Sequence, residues 1–285
     1  TMNMACASFH RWQDVLVSVK GFSKYMWGNE TYVANNLYGR YMGYSHLEII
    51  RHGQQESGFS QEGFDWAALP GTTAIHLPID NMLAKVYNLD DQSGFEEMLL
   101  SDEPFAGGVD DGKNGMFAMK LQGHPKYDGS HSATISKFFV DGFILCLGSD
   151  VKNDETRFPT YTTLFQKTGE YEKTENTITD CMGNVYYPVG GQNVQVKRGV
   201  QISQDQAGKG ENSGMYSVAY IDHGTAPQNA EYEYGIGLLG LKKPVYEVLQ
   251  KDNIAHIVRF GNTTYYAVFE PQKFDGCANL QKTDQ

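Results

Sequence analysis

Cysteine is scarce in this chain: Cys6, Cys146, Cys181 and Cys277 are the only four among 285 residues. Their spacing fits no zinc pattern and implies no disulfide framework. Cys146 sits inside an apolar run and reads as a buried thiol. No apolar run approaches the roughly 18 residues of a membrane-spanning helix, and no signal-peptide pattern opens the chain. Basic residues are outnumbered, 23 against 34 acidic, which leaves a net charge of −11. That balance argues against a general binder of nucleic acid or anionic membrane. Helical periodicity is thin, and only Val245–Lys251, after Pro244, reads as a short helix. The opening Thr1-Met2-Asn3 runs directly toward a strand, so the chain reads as a piece or processed product of a longer protein.

Aromatic residues are plentiful at 13%, with 18 Tyr and 15 Phe. They favour strands, and some of their rings are suited to lie against a pyranose. Val15, Val17 and Val19 alternate with polar neighbours. Phe138–Val140 and Phe143–Leu147 flank Asp141-Gly142, a strong two-residue hairpin signal. Ile254–Phe260 and Thr263–Phe269 flank Gly261-Asn262 in the same way. Val185–Val189 and Val194–Val196 flank Gly190-Gly191, and Met215–Ile221 and Tyr232–Leu239 are further strands. Gln204–Ser213 is polar and glycine-containing, the composition of an exposed loop. No linker, internal repeat or low-complexity segment divides the chain. These signals give an all-β fold, a large antiparallel β-sandwich formed by residues 1–285 as one unit.

Several segments carry a more specific signal in their joint order. They begin with His10-Arg11-Trp12-Gln13-Asp14, Asn36-Leu37-Tyr38-Gly39-Arg40-Tyr41 and Glu62-Gly63-Phe64-Asp65-Trp66. Leu69-Pro70-Gly71-Thr72-Thr73-Ala74-Ile75-His76-Leu77-Pro78 and Phe105-Ala106-Gly107-Gly108 follow. Leu147-Gly148-Ser149, Thr162-Thr163-Leu164-Phe165-Gln166, Tyr220-Ile221-Asp222-His223 and Tyr232-Glu233-Tyr234 complete the series. Together they resemble family 8 of the polysaccharide lyases, the chondroitin and hyaluronan lyases, and most closely its broad-specificity chondroitin ABC type.

The resemblance implies a supersandwich similar to galactose mutarotases, set between an N-terminal α/α toroid and a smaller C-terminal β-domain, both absent here. It implies a glycosaminoglycan substrate and a secreted or periplasmic bacterial location. It also implies β-elimination, in which the uronate carboxylate is neutralised, the C5 proton is removed and the leaving oxygen is protonated. In such enzymes the toroid supplies a His and a Tyr, and the sandwich an Arg and a Glu. Arg suits the first task because its planar fork is permanently charged. Arg11 and Arg40 are the candidates for it; otherwise Arg11 is a strand-end cation in an ion pair and Arg40 a stacked residue at the sandwich edge. Asp111 and Glu103 compete for the acidic role. Asp111 would place Asp where the family has Glu, and Asp110-Asp111-Gly112-Lys113-Asn114-Gly115 is also turn chemistry by itself. Asn114 resembles a substrate-contacting Asn. Trp66 reads as a sugar platform or a core indole.

Other chemistries find less support. His76 reads as a satisfied core histidine and Asp222-His223 as a structural pair. No G-x-S-x-G nucleophile elbow and no phosphate loop occurs. No cofactor is required by these residues. Asp90-Asp91 and Asp110-Asp111 have the oxygen ligands that suit Ca²⁺, although solvated turns use the same residues. A carbohydrate-binding sandwich without chemistry is the alternative. A mutarotase-like isomerase rests on fold analogy alone, because no His–carboxylate pair stands out.

Overall fold

The computed structural model describes residues 1–32, 35–52, 57–86, 96–271 and 273. Its strands in chain order begin with β1 (Ala7–Trp12), β2 (Val15–Lys20), β3 (Thr31–Tyr32), β4 (His46–Arg51) and β5 (Thr73–Ile75). Next come the one-turn α1 (Ile79–Met82), then β6 (Glu96–Glu97), β7 (Ala106–Asp110), β8 (Gly115–Gln122), β9 (Ser132–Val140) and β10 (Phe143–Lys152). β11 (Pro159–Lys167), β12 (Glu172–Lys173), β13 (Ile178–Thr179), β14 (Val185–Pro188) and β15 (Val194–Gln204) follow. The series closes with β16 (Glu211–Thr225), β17 (Ala230–Gly237), β18 (Tyr246–Lys251), β19 (Ala255–Phe260) and β20 (Thr263–Val268).

The central layer is an eight-stranded antiparallel sheet in the order β12-β13-β14-β17-β10-β9-β8-β7. Side chains alternate between the faces of a strand, and here both faces are apolar. On β10, Ile144 and Cys146 belong to one core, while Phe143, Leu145 and Leu147 belong to another. The first core is covered by β1-β2-β4 and by β15-β16-β11-β5; the second is covered by β18-β19-β20. This arrangement explains why β9 and β10 read as nearly continuous apolar runs rather than as alternating strands. Each fully buried Phe or Leu in them contributes roughly 1.5–3 kcal/mol.

The two hairpins expected around Asp141-Gly142 and Gly261-Asn262 are present. Asp141 and Gly142 both have positive φ, +48° and +78°, as a type I′ turn requires. A Cβ at Gly142 would come within 2.4 Å of the Trp12 ring. Two expectations are corrected. Val245–Lys251 is not helical: Tyr246–Lys251 is β18, whose Tyr246 and Val248 face the second core while Glu247 and Leu249 are exposed. Gln204–Ser213 is not one loop, since Gln204 pairs with Glu211 and only the intervening turn lies outside the ladder. The strands expected on either side of Gly190-Gly191 are present as β14 and β15, which lie in different sheets.

A buried lysine ties loops of the first covering layer to the central sheet. Lys137 of β9 is fully buried and donates to Ser45 through both its carbonyl and hydroxyl oxygens, and to the Gly71 carbonyl at 3.0 Å. Burial pushes its ammonium down to about 8.

Candidate functional site

The structure divides the sequence candidates between two ends of the central sheet. β8 runs from Gly115 to Gln122, so its ends lie roughly 23 Å apart at ~3.3 Å per residue.

At the Gly115 end, the β7–β8 turn holds Asp111 and Asn114. The Asp111 carboxylate accepts from the backbone N–H of Lys113 (2.9 Å) and Asn114 (2.7 Å), and these bonds hold it below the usual carboxylate range. Asn114 Oδ1 accepts from Asp141 N–H at 3.0 Å, which joins this turn to the β9–β10 turn. Trp12 packs on that second turn, and Arg11 stands one residue before it on β1. Arg11 is exposed and pairs with none of the described residues, so the surface ion pair considered for it is absent. Asp110 takes Thr1 N at 2.7 Å. Among the described residues no group of three His, Cys, Asp or Glu is placed to hold a metal ion, and Asp90-Asp91 lies outside them.

At the Gln122 end stands Arg40, in a 3₁₀ turn over Gly39–Gly43. The turn packs so closely on Gly28 that a Cβ at Gly43 would meet the Gly28 Cα at 2.6 Å, so both positions must lack a side chain. Beside this contact is a water-sized cavity of about 10 Å³ lined in part by Asn29, Arg40, Tyr44, His124 and Tyr127. Arg40 donates to the carbonyls of Asn81 (2.9 Å) and Met82 (3.2 Å) at the end of α1. Its guanidinium carbon lies 3.8 Å from the Tyr127 ring centroid. Its Nε–H is buried and has no hydrogen-bond partner among the described residues.

The neighbouring groups favour donors over bases. Tyr127 donates from its hydroxyl to both oxygens of Glu97 at 2.9 Å, and Lys126 pairs with the same carboxylate. Burial, then the Glu97 charge, pushes the Tyr127 phenol up, with the Lys85 N–H opposing, so it stays protonated. Tyr44 donates to both oxygens of Asp128 at 2.9 Å, and burial raises both groups. His124 Nδ1 accepts from Lys126 N–H at 3.1 Å, which leaves the proton of a neutral ring on Nε2. Around the cavity stand a fixed cation, a phenol whose proton is given to Glu97, and a histidine. That set suits a carboxylate or sulfate ligand.

Glu103 belongs to this end, since its carbonyl accepts from Lys24 N–H at 2.9 Å and its N–H donates to Ser101 Oγ at 3.1 Å. Glu30, exposed, follows the lining residue Asn29 and leads into β3, where Thr31 pairs with Glu97 of β6. Trp66 is a core indole, 7% exposed, with its N–H on the Gln204 carbonyl at 3.0 Å and Phe64 edge-on at 5.1 Å. His76 is half-exposed rather than a core histidine, and its Nε2 lies 2.7 Å from Asp65 Oδ2. His223 is partnered by Thr162 Oγ1 at 2.8 Å, not by Asp222. Cys146 is a buried free thiol, pushed up to about 11 by burial.

Sequence reading thus missed Asn29, Glu97, His124 and Tyr127. The one available signal was His124-Pro125-Lys126-Tyr127-Asp128-Gly129, a turn that gathers four polar or aromatic side chains around a proline and a glycine.

Comparison with known proteins follows the same lines. Residues 6–238 match the family described as polysaccharide lyase family 8, super-sandwich domain. A chondroitin sulfate ABC exolyase of Bacteroides thetaiotaomicron is 41% identical, covering 100% of this chain and 31% of its own length. A chondroitin sulfate ABC exolyase of Proteus vulgaris is 39% identical, covering 95% and 30%. The chain thus spans about a third of these relatives. The structure of the Streptomyces coelicolor A3 chondroitin AC lyase superposes with a TM-score of 0.77 at 18% identity, over 94% of this chain and 38% of that one. A Paenibacillus xanthan lyase superposes at 0.74 with 19% identity, over 94% and 29%, which speaks to fold alone. The strand order, the doubly covered central sheet and the match over most of the chain agree: this protein belongs to polysaccharide lyase family 8, as its super-sandwich domain.

Proposed function

We propose that this chain is the central sandwich of a secreted or periplasmic glycosaminoglycan lyase acting on chondroitin- or dermatan-type chains, and that it forms one wall of the active-site cleft. The observation that carries this reading is Arg40, a guanidinium held over the Tyr127 ring beside a cavity, with a buried Nε–H that has no partner among the described residues. In β-elimination a base takes the proton from C5 of the uronate, the bond from C4 to the glycosidic oxygen breaks, and a C4–C5 double bond forms. Removing that proton places more negative charge next to a carboxylate. Arg40 neutralises the carboxylate and stabilises the charge as it develops. Tyr127 stays protonated and gives its hydroxyl proton to Glu97, so its part is to hold its ring against Arg40. Glu30 and Glu103 are the acidic candidates of this end. The base and the proton donor to the leaving oxygen come from an upstream helical domain, so this chain alone is inactive.

A second reading places carbohydrate contact at the other end, through Arg11, Asp111 and Asn114. It is favoured by the exposure of Arg11 and its lack of any partner among the described residues. The test of the main reading is ultraviolet absorbance of chondroitin sulfate incubated with this chain, alone and joined to a family 8 helical domain. Absorbance from the unsaturated uronate is expected only in the joined protein. A rise with this chain alone would overturn the divided site.

A further inference from the structure

Arg side chains are long and flexible, and an electrostatic contact is useful to catalysis only when it is held in place before substrate arrives. Arg40 meets that requirement through neighbours whose layout is specific. Its Nη2 is held by two α1 carbonyls, and its guanidinium carbon lies over the Tyr127 ring. The Tyr127 ring is held in turn at its hydroxyl. That oxygen donates to Glu97 Oε1 and Oε2, both at 2.9 Å, and accepts the Lys85 N–H at 2.8 Å. Glu97 is itself 4% exposed and paired with Lys126. A buried carboxylate with two such partners is far from the ordinary surface ion pair, whose net contribution is small.

Resting on the reading that Arg40 takes the uronate carboxylate, we propose that Tyr127 and Glu97 are positioning residues that fix the Arg40 guanidinium for substrate. Neither touches the sugar. Glu97 holds the Tyr127 hydroxyl, and the ring in turn backs the Arg40 guanidinium. β6, which carries Glu97, pairs with β3 immediately after Asn29 and Glu30. The same carboxylate therefore couples the Arg40 cation to the strand that follows the cavity's other polar residues. A displacement of about 1 Å in such a group is enough to lower turnover by about 10²-fold.

The test uses the ¹⁵N resonance of the Arg40 Nε–H in this chain, titrated with a chondroitin tetrasaccharide. The wild type is expected to give a sharp, slowly exchanging signal that shifts on titration. Tyr127→Leu removes the ring face, and Tyr127→Phe keeps the ring but frees it from Glu97. Both are expected to broaden the signal and weaken tetrasaccharide binding, by about tenfold for Leu and less for Phe, with the rest of the amide spectrum unchanged. Glu97→Gln retains an acceptor for the phenol and is expected to bind more tightly than Glu97→Ala. Should the Leu variant not fold, Phe and the Glu97 pair decide the matter. A sharp Arg40 signal and unchanged affinity in Tyr127→Phe and Glu97→Ala would overturn the positioning role. Unchanged affinity in Arg40→Ala would instead overturn the reading it rests on.

Discussion

The guanidinium carbon of Arg40 lies over the ring of Tyr127, 3.8 Å from its centroid. A lysine at position 40 would keep the charge but lose the plane and the fork. In the full-length lyase, Arg40→Lys is therefore expected to lower kcat/KM for chondroitin sulfate by about a hundredfold, ~2.7 kcal/mol of transition-state stabilisation. Steady-state kinetics read this directly, and near-normal turnover would mean that only the charge matters.

Lys137 makes stability rise with pH in a defined window. Its folded-state value is about 8, below the 10.5 of the unfolded chain. Between these values the unfolded state holds more protons, so folding gains stability as pH climbs, by roughly 3 kcal/mol in all. Lys137→Met lacks this titration. The urea midpoint of the wild type should gain on that of Lys137→Met between pH 8 and 9.5, before tyrosines in the unfolded chain begin to ionise.

His256 gives an acid-side counterpart. It is fully buried between Ser136 Oγ (2.7 Å) and Ser149 Oγ (2.9 Å), and so fastens β19 to the central sheet. Burial pushes it down to about 3 from 6.5. The unfolded chain takes up the proton first, so this contribution is complete above pH 6.5 and lost as pH falls toward 3. His256→Gln should be less stable than wild type at pH 7, and the difference in urea midpoint should narrow at pH 4. His256→Ala should lower stability by about 2–4 kcal/mol.

Gly43 tests the cavity wall. A methyl at this position meets the Gly28 backbone at 2.6 Å. Gly43→Ala should lower stability by about 1–3 kcal/mol and weaken saccharide binding, because the 3₁₀ turn that carries Arg40 must shift. Thermal unfolding and a tetrasaccharide titration measure the two effects separately.

The sheet architecture was legible in the sequence where local chemistry sets it. Asp141-Gly142 specifies its hairpin through positive φ at both residues. The strand β18 was misread because a preceding proline is a helix-start signal, whereas the alternation of Tyr246 and Val248 with exposed neighbours is fixed by pairing with β19. The candidate site was less legible. Arg40 was identified by its motif, but Tyr127 and Glu97 lie 87 and 57 positions away, and only the packing of the β8–β9 connection against β6 brings them together. Arg11 and Asp111 were grouped with Arg40 by chemistry, although β8 separates their ends of the sheet.

The measurement that tests the account most directly is calorimetric titration of a chondroitin tetrasaccharide into wild-type chain, Arg40→Ala and Arg11→Ala. The account predicts that Arg40→Ala weakens binding at least tenfold, ~1.4 kcal/mol, while Arg11→Ala leaves it within twofold. Loss of binding in Arg11→Ala with Arg40→Ala unchanged would contradict it and move the cleft to the opposite end of the central sheet.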